Sequence, residues 1–444
     1  MVKQGILTPM TTHRSTTISA DDAIARIQSG MRVFVTGNCS FPRTLMDALV
    51  RRAPKVSNVE VIQVLTIGSD DYTRPEMEGH LRVNTLFISA NVRKAVNEGR
   101  ADFTPVRLAE IPMLFRSGAV PLDVAMIHVT PPDAHGFCSY GVEIGVSKAA
   151  AETARLVIAE INPQMPRTLG DSFIHISKID YSVEVDYPLP EFDPGDNGPQ
   201  SISLNRQIGA HIAGMIRDGD CLQLGIGGIP NGVLPFLKDK RDLGVHSELF
   251  SDGVIDLVER GVINGERKNQ HPGKIIAGFC LGSRRLYQWV HDNALIEFRP
   301  TEYVNDSLII SRNDNMVAIN SALEVDLTGQ VCADSIGTRL YSGIGGQLDF
   351  IRGAAHSKGG RPIIALPSSA VMKDGSRVSR ITPMLKQGAG VTVPRYDIHY
   401  VITEFGVADL YGKTIRQRAR ALIGIAHPEF RAELERAAAE LNYF

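Results

Sequence analysis

Residues 243–253 read Leu-Gly-Val-His-Ser-Glu-Leu-Phe-Ser-Asp-Gly and lead directly into Val-Ile-Asp-Leu-Val-Glu-Arg-Gly at residues 254–261. Val245, Leu249 and Phe250 predict a short apolar strand, and the apolar spacing after the Ser-Asp-Gly turn predicts a helix. Glu248 then lies near the carboxyl end of that strand. In an open α/β sheet this end faces the ligand crevice, so an acidic residue here is either desolvated or points into the crevice.

Glu248 is therefore the first candidate for a catalytic residue, as a covalent nucleophile. Spacing alone favours a simpler explanation, because isolated acidic residues at strand ends are common and usually exposed. Glu404, in Val-Ile-Thr-Glu-Phe-Gly-Val-Ala-Asp-Leu at residues 401–410, also precedes a glycine turn at a predicted strand end. Composition does not choose between the two glutamates.

Length and composition limit the class of protein. With 444 residues the chain exceeds the roughly 250 to 300 residues at which one core stops growing, so we expect two domains. A hydrophobic content of 43%, a charged content of 22% and a net charge of -2 are ordinary for a soluble globular protein. The absence of a basic face or a long apolar run argues against nucleic acid or a membrane as a partner.

The beginning of the sequence and its cysteines indicate the compartment. The first residues contain no sustained apolar segment of the kind that a secretory signal requires, so we expect a cytoplasmic protein. The five cysteines are widely spaced and odd in number, which favours reduced thiols over a disulfide framework or a zinc site.

Alternating strand and helix patterns predict mainly parallel sheets covered by helices. Ser19 begins a capped helix over 19–27, a strand at 30–37 ends at glycine, and a helix follows at 42–50 with proline in its first turn. Further strands are predicted at 59–65, 85–89, 124–129, 274–279, 306–310, 316–320, 362–367 and 400–403, with a helical or loop segment at 92–99, a helix at 205–216 and a helical tail from about 414 that is interrupted near Pro428.

Residues 186–199 contain four prolines and two glycines among acidic residues, which predicts a domain boundary. We expect an N-terminal α/β domain over 1–190 and a C-terminal α/β domain over 200–444. Aligning Ile27 with Ile216 also aligns Gly30 with Gly219 and Leu45 with Leu234. This echo indicates a duplicated domain, although the pattern is generic to α/β proteins.

Two glycine clusters are candidate binding sites. Gly-Ile-Gly-Gly-Ile-Pro at 225–230 follows a predicted strand and precedes a helix, where backbone amides can bind an anion or an oxyanion. A proline occupies the position that a dinucleotide fingerprint reserves for glycine, which argues against an NAD site. A tight structural turn is the alternative explanation. The candidate binding residues here are Gly225, Gly227 and Gly228.

The second cluster is Tyr-Ser-Gly-Ile-Gly-Gly-Gln-Leu-Asp-Phe-Ile-Arg-Gly-Ala at 341–354. Its glycines allow a ligand to approach the main chain closely, and Gln347, Asp349 and Arg352 place polar groups nearby. Gly343, Gln347 and Arg352 are thus candidate binding residues. A loop that binds nothing is the alternative, because glycine-rich loops need no ligand.

A metal site is disfavoured. The residues that could form one are His128, Asp133, His135 and Cys138, but their spacing matches no standard zinc pattern. Pro131, Pro132 and Gly136 already explain the segment as a rigid turn.

Four segments of this chain, in the order expected for the family, resemble segments of the acetyl-CoA hydrolase/transferase family. They are Gly-Val-His-Ser-Glu-Leu-Phe-Ser-Asp-Gly at 244–253, Gly-Ile-Gly-Gly-Gln-Leu-Asp-Phe-Ile-Arg-Gly at 343–353, Pro-Pro-Asp-Ala-His-Gly-Phe-Cys-Ser at 131–139 and Thr-Glu-Phe-Gly-Val-Ala-Asp-Leu at 403–410. The resemblance extends from about residue 30 to 428 and is greatest to the 4-hydroxybutyrate and butyrate CoA-transferases.

The resemblance implies a class I CoA-transferase with two related open α/β domains and an active site in the cleft between them. It places the catalytic glutamate at Glu248, and the oxyanion donors at main-chain amides near Ile226 and near Gly345 or Gly346. It also implies ping-pong transfer of CoA from a short-chain acyl-CoA to a carboxylate such as acetate, through a glutamyl-CoA thioester.

By the same resemblance, CoA is a substrate, no metal or permanently bound cofactor is needed, and the enzyme is a homodimer. Arg284, Arg285, Arg352 and Lys358 are candidates to bind the CoA phosphates, with solvated surface charge as the alternative. Two other functions remain open: an acetyl-CoA hydrolase, in which water resolves the thioester, and a noncatalytic acyl-CoA-binding protein on the same fold.

Overall fold

The computed structural model describes residues 15–193, 198–225, 227–372 and 374–444. These residues form two eight-stranded sheets covered by helices, one sheet in each half of the chain. The α/β class predicted from the alternating pattern is confirmed. Within the described residues, no helix combines the length and apolar character needed to cross a membrane.

Among the described residues, the N-terminal half contains ten strands and five α-helices. The strands are β1 Thr16–Thr17, β2 Arg32–Val35, β3 Val59–Gln63, β4 Leu81–Thr85, β5 Asp102–Phe103, β6 Val124–Val129, β7 Phe137–Ser139, β8 Leu156–Ile161, β9 Phe173–His175 and β10 Tyr181–Glu184. The helices are α1 Ala20–Ile24, α2 Arg43–Arg52, α3 Arg93–Asn97, α4 Ile111–Arg116 and α5 Ser147–Thr153.

The C-terminal half contains the remaining strands and α-helices. The strands are β11 Cys221–Leu224, β12 Gly244–His246, β13 Leu249–Phe250, β14 Ile275–Ala277, β15 Phe279–Cys280, β16 Ile296–Phe298, β17 Met316–Ser321, β18 Glu324–Asp326, β19 Val331–Cys332, β20 Ser335–Ile336, β21 Arg339–Leu340, β22 Arg361–Ala365, β23 Ser369–Val371, β24 Arg377–Ser379, β25 Ile381–Thr382, β26 Tyr400–Thr403 and β27 Gly406–Asp409. The helices are α6 Pro199–Met215, α7 Gly228–Val233, α8 Gly253–Glu259, α9 Arg284–Val290, α10 Thr301–Val304, α11 Ser307–Ser311, α12 Gln347–His356, α13 Ile415–Ile425 and α14 Pro428–Glu440.

The two large sheets have the same topology. Their orders are β5-β4-β3-β2-β6-β8-β10-β1 and β16-β14-β12-β11-β17-β22-β26-β27. In each sheet, the first seven strands in the order given are connected along the chain in the same way, and only the eighth strand, at the edge, differs. Every pair is parallel except β26 with β27. This shared order supports the duplication predicted from the sequence.

The aligned glycines behave alike in the two halves. Gly30 and Gly219 have φ angles of +80° and +84°, and each lies two residues before the central strand of its sheet. A residue other than glycine is disfavoured in this left-handed region. Because the carboxyl ends of strands border the ligand crevice at the point where strand order reverses, the loops after β2 and β11 are placed to carry functional groups.

Three local predictions were wrong. The single strand predicted around Val245 and Phe250 is two short strands, β12 in the main sheet and β13 paired with β15. The predicted strand at 306–310 is replaced by α11, Ser307–Ser311, because the Asp306 carboxylate caps this helix by accepting hydrogen bonds from the amides of Leu308 and Ile309. The strand predicted at 85–89 ends at Thr85. Short apolar runs do not distinguish helix from strand by periodicity.

One apolar cluster is shared by the two halves, while other clusters lie within a single half. A continuous cluster of buried side chains extends from Phe34 in the first sheet through Val245 and Phe279 to Ile402 in the second. Residues 142–145 reinforce this contact, because the amides of Ile144 and Cys280 bond across the boundary to the carbonyls of Gly278 and Val142, respectively. The surfaces that face each other are consequently held in a fixed arrangement.

Candidate active site

Glu248 lies in the break between β12 and β13, where the chain leaves the main sheet. Its carbonyl oxygen accepts hydrogen bonds from the amides of Gly278 at 2.9 Å and Phe279 at 3.2 Å. These bonds tie the backbone of Glu248 to the neighbouring chain segment after β14. The position at the carboxyl end of a strand agrees with the prediction, although the strand is interrupted at this residue.

The carboxyl group of Glu248 is desolvated and held in place. Asn305 Nδ2 donates a hydrogen bond of 2.8 Å to Oε2. Burial raises the pKa of Glu248 to about 7, while the hydrogen bonds from Asn305 and from the Gly346 amide act in the opposite direction. The group is therefore poised between its two protonation states near neutral pH, and its charged form is much less solvated than in water.

Gly346 has no room for a side chain. A Cβ atom at this position would stand 2.1 Å from Glu248 Oε2 and 2.0 Å from Asn305 Nδ2. Its neighbour Gly345 has a φ angle of +55°, in the left-handed region. The second glycine cluster thus brings its main chain directly against the candidate nucleophile, an approach that a larger residue would block.

The N-terminal half fixes the second glycine cluster. The Leu108 amide donates to the Gly345 carbonyl at 2.9 Å, and Arg107 Nη1 donates to Asp349 Oδ1 at 2.9 Å. Burial raises the pKa of Asp349 to about 7; Arg107 lowers it and the nearby charge of Glu248 raises it. Arg107 and Leu108 therefore anchor this loop from the opposite half of the molecule.

The surroundings of Glu248 form what we call the Glu248 pocket. Its lining residues come from both halves and are Gly37, Asn38, Val64, Leu65, Phe87, Leu108, Glu143, Gly145, Val146, Glu248, Phe279, Thr301 and Gly345. Several of them follow β2, β3 and β4 of the first sheet and β12 and β14 of the second. The carboxyl ends of both sheets thus meet at this pocket.

Other sequence candidates lie elsewhere. Gly225, Gly227 and Gly228 follow β11. The end of β11 lies beside the segment that leads to Glu248, since Ser247 Oγ accepts a hydrogen bond from the Leu224 amide and donates one to the Leu224 carbonyl. They do not line the Glu248 pocket in the described part of the chain. Ile226, the expected oxyanion donor of this turn, lies outside the described residues.

The polar candidates of the second cluster make structural contacts. Gln347 Nε2 donates to the Ser321 carbonyl at 3.3 Å, and Arg352 pairs with Asp397 at 3.0 Å. Gly343 packs against Phe87, and its missing side chain leaves space for that ring. Of the arginines proposed for the CoA phosphates, Arg285 pairs with Asp256 at 2.9 Å.

Glu404 is separated from this chemistry. Both of its carboxylate oxygens accept hydrogen bonds from Ser368, one from the amide at 2.9 Å and one from the hydroxyl at 2.5 Å. It does not contribute to the lining of the Glu248 pocket. The geometry favours Glu248 between the two glutamates.

The residues that could form a metal site make other contacts. Asp133 accepts the amides of His135 and Phe137 in a turn, and the buried His128 contacts Asn162. Across the described ranges, no group of three or more His, Cys, Asp and Glu side chains is arranged to hold a metal ion.

Sequence reasoning missed four polar residues near Glu248. Asn305 holds its carboxylate, Arg107 anchors the glycine cluster, and Asn38 and Glu143 line the pocket. None lies in a recognisable motif. The strand end before Asn38 was the only available signal, because residues after the carboxyl ends of parallel strands border the crevice.

The raised pKa of Glu248 predicts a pH-dependent stability difference. The folded protein holds this proton more tightly than the unfolded chain, so the associated stability is complete below about pH 4.5 and is lost as the pH rises through about 7. We expect Glu248→Gln to raise the free energy of unfolding at pH 8 by about 2 kcal/mol, below the full linkage value because part of the side chain faces the open pocket.

Urea unfolding of both proteins at pH 5 and pH 8 measures this difference. The stabilisation by Glu248→Gln should be smaller at pH 5, where the wild-type carboxyl already carries its proton in the folded state. An equal gain at both pH values would contradict the proposed burial cost.

Comparison with known proteins identifies the family. Family models match residues 10–190 as the N-terminal domain and residues 282–438 as the C-terminal domain of acetyl-CoA hydrolase/transferase. The chain is 50% identical over 417 residues to the 4-hydroxybutyrate coenzyme A transferase of Clostridium kluyveri, covering 94% of this chain and 96% of that protein. It is 37% identical over 421 residues to the butyryl-CoA:acetate CoA-transferase of Anaerostipes caccae, covering 94% of each.

A solved structure has the same fold. The 4-hydroxybutyrate CoA-transferase of Porphyromonas gingivalis matches with a TM-score of 0.82 and 41% identity, covering 96% of this chain and 98% of that one. The family models together leave out residues 191–281, whereas the relatives and this solved structure match at least 94% of the chain. The chain therefore belongs to the acetyl-CoA hydrolase/transferase family.

Proposed function

We propose that this chain transfers CoA between a short-chain acyl-CoA and a carboxylate such as acetate, with Glu248 as the covalent nucleophile. The chain is an enzyme of the CoA-transferase type, as are its relatives in Clostridium kluyveri and Anaerostipes caccae. The observation that carries the role of Glu248 is its desolvated carboxylate, held by Asn305 and Gly346 in a pocket between the two halves.

The chemistry proceeds by two acyl exchanges at this carboxylate. An oxygen of ionised Glu248 attacks the thioester carbonyl, and the C–S bond breaks to give an acyl-glutamyl anhydride and CoA thiolate. The thiolate then attacks the glutamyl carbonyl, which forms the glutamyl-CoA thioester and releases the first acid. A second carboxylate reverses these steps and leaves as its acyl-CoA, so Glu248 is restored and no proton is consumed.

Each exchange passes through a tetrahedral oxyanion that needs preorganised donors. The main-chain amides of Gly345 and Gly346 are our candidates, because this loop contacts Glu248 and is anchored by Leu108 and Arg107. The second donor that we propose is the amide near Ile226, because the family resemblance implies it. The glycines at 345 and 346 have no side chain that would cover their amides.

The proposal also includes the domains, the role of CoA and the oligomeric state. Residues 1–190 and 200–444 act as two domains, with the cleft between them open to CoA as a substrate rather than a fixed cofactor. The enzyme works as a cytoplasmic homodimer, and symmetric pairs are the most common oligomers. Light scattering of the purified protein tests the dimer.

Borohydride trapping tests the covalent step. The protein is incubated with acetyl-CoA, reduced and digested with trypsin, and the peptide 242–260 that contains Glu248 is examined by mass spectrometry. Reduction of a glutamyl thioester gives an alcohol, so the peptide should become lighter only after exposure to acyl-CoA. An unchanged peptide from an enzyme that still turns over would refute the covalent intermediate.

The acceptor is tested in the same preparation. A transferase releases little free CoA without an added carboxylic acid and forms a new acyl-CoA when one is supplied. If free CoA is instead released at the full turnover rate when no acid is added, water resolves the thioester and the enzyme is a hydrolase.

Asn305→Ala should lower kcat and move the pH profile. The carboxylate form of Glu248 is the nucleophile, so kcat/KM should rise with pH through the pKa near 7. Asn305 lowers that pKa, and its loss should move the rising limb to higher pH while reducing kcat on the order of 100-fold. Rates between pH 5.5 and 8.5 measure both effects. A lower rate with an unshifted limb would show that Asn305 does not act on Glu248.

A further inference from the structure

His246 lies two residues before Glu248, at the end of β12, and is completely buried. Two of the residues that it contacts, Val304 and Phe350, belong to one cluster of buried apolar side chains. A phenylalanine or a leucine could be buried here without the cost of removing an imidazole from water. The histidine at this position therefore needs a physical explanation.

The imidazole of His246 is neutral and donates one hydrogen bond. Burial and, after it, the charge of Lys268 lower its pKa to about 3, and His271 and Arg299 lower it further, while the bond to Val304 acts in the opposite direction. A neutral imidazole carries one N–H and a carbonyl only accepts, so Nε2 bears the hydrogen and donates it to the Val304 carbonyl at 2.8 Å. Nδ1 has no hydrogen-bond partner among the described residues.

The Val304 carbonyl stands at the end of α10, Thr301–Val304. The last carbonyl groups of a helix have no partner within the helix, and Val304 is completely buried. His246 thus supplies the bond that water supplies at an exposed helix end. Because a helix of this length is not stable by itself, the position of its last residues depends on contacts of this kind.

The residue that follows this carbonyl holds the nucleophile. Asn305 is 1% exposed, and its Nδ2 donates to Glu248 Oε2 at 2.8 Å. The carbonyl that His246 binds belongs to the planar peptide unit between Val304 and Asn305. A movement of this unit therefore turns the backbone from which the Asn305 side chain extends.

The same imidazole contacts the helix behind the second glycine cluster. The rings of His246 and Phe350 meet edge to face, with their centroids 6.3 Å apart. Phe350 lies in the first turn of α12, and its amide donates to the Gly346 carbonyl at 3.1 Å. The Gly346 amide is the second group that bonds to the Glu248 carboxyl. His246 consequently contacts both of the segments that hold the nucleophile.

We propose that His246 is a positioning residue for the transferase reaction: through the Val304 carbonyl it holds the Asn305 amide against the carboxylate of Glu248. The imidazole touches no substrate and takes up no proton. This inference rests on the proposed function, in which Glu248 is the nucleophile. Because the bond acts on Glu248 through Asn305, its loss should resemble a weaker form of the loss of Asn305.

Two substitutions separate the hydrogen bond from the volume of the side chain. His246→Phe keeps a ring beside Phe350 but has no donor for the Val304 carbonyl, whereas His246→Gln places an amide N–H near the position of Nε2. We expect His246→Phe to lower kcat by about tenfold and to move the rising limb of the pH profile to higher pH, because a displaced Asn305 lowers the pKa of Glu248 less.

The conservative variant and KM complete this measurement. KM for acetyl-CoA should stay within about threefold in His246→Phe, because the buried imidazole makes no contact with substrate. His246→Gln should keep kcat within about threefold of the wild-type value and leave the rising limb in place, since it retains the donor. An unshifted limb in His246→Phe would overturn the proposal.

A double mutant shows whether the effect passes through Asn305. In an Asn305→Ala background no amide remains to be positioned, so the addition of His246→Phe should change kcat by less than about threefold. Losses of equal size with and without Asn305 would show that His246 acts by another route, and the proposal would be wrong.

His128→Phe is the matched control. His128 is also completely buried, its pKa is likewise lowered to about 3 by burial, and its Nδ1 also has no hydrogen-bond partner among the described residues. Its Nε2 contacts Asn162, however, and not the segment that holds Glu248. The rising limb should stay in place in this variant. A shift as large as that of His246→Phe would mean that replacing any buried histidine has this effect, which would overturn the assignment.

The wild-type protein provides a test that does not depend on the folding of any variant. Nitrogen-15 NMR of the side chain of His246, assigned from its backbone neighbours, should show the hydrogen on Nε2 and no titration between about pH 5 and pH 8. A hydrogen on Nδ1, or titration near the ordinary histidine pKa of about 6.5, would show that the bond to Val304 is not formed.

These measurements separate positioning from the reaction itself. If the transferase proposal fails, the wild-type enzyme transfers no CoA and its Glu248 peptide is not modified by acyl-CoA and borohydride. If only the positioning fails, His246→Phe transfers CoA with the wild-type pH profile and its Glu248 peptide is still labelled.

Discussion

Glu248→Ala should abolish CoA transfer, with a loss in kcat on the order of 10⁴-fold or more, as expected when a covalent nucleophile is removed. The alanine side chain cannot form the acyl-glutamyl anhydride, and no other carboxylate among the described pocket residues is held by Asn305 and Gly346 as Glu248 is. Acetyl-CoA-dependent formation of a second acyl-CoA measures the loss. The borohydride-labelled peptide should disappear at the same time.

Glu404→Ala is the matched control for this experiment. Glu404 also follows a strand and precedes a glycine, but Ser368 binds its carboxylate and it lies outside the Glu248 pocket. Transfer should persist within a few fold of the wild-type rate. A Glu248→Ala enzyme that keeps turning over, with an inactive Glu404→Ala enzyme, would reverse the assignment of the nucleophile.

Gly346→Ala should lower kcat by about 100-fold or more. The added methyl group would overlap with Glu248 Oε2 at 2.1 Å and with Asn305 Nδ2 at 2.0 Å, so the carboxylate must move or lose its hydrogen bonds. A displaced nucleophile and a disturbed oxyanion donor each carry large rate penalties. Steady-state kinetics and borohydride labelling measure the effect.

Gly424→Ala provides the control for replacing glycine by alanine. Gly424 lies within α13, and nothing stands within 4 Å of the position that its Cβ would occupy. Alanine is the better helix former, so this variant should keep its activity and gain up to about 1 kcal/mol in the free energy of unfolding. Full activity of Gly346→Ala would show that the loop can move without a loss of rate and that its contact with Glu248 is not part of catalysis.

The sequence was most informative where neighbouring residues carry the signal. Ser19 begins α1 as its cap, Gly30 and Gly219 precede the central strands, and Pro428 separates the last two helices. These features depend on φ angles and on hydrogen bonds within a few residues, which local composition controls. The strand predicted at 306–310 was wrong because this run has too few apolar residues to show a helix or strand period.

The sequence by itself determined the α/β class and the family, through segments in which adjacent residues form one motif, whereas the duplicated order of elements was only indicated by it and is supported by the sheet topology. It also identified Glu248 as the residue that the resemblance makes the nucleophile. Tertiary structure alone joined this residue to its surroundings, because the decisive pairs are remote: 57 residues separate Asn305 from Glu248, 105 separate Asn38 from Glu143, and 242 separate Arg107 from Asp349. Only burial between the two halves turns these ordinary polar side chains into a site, since it removes the water that otherwise screens their charges and occupies their hydrogen bonds.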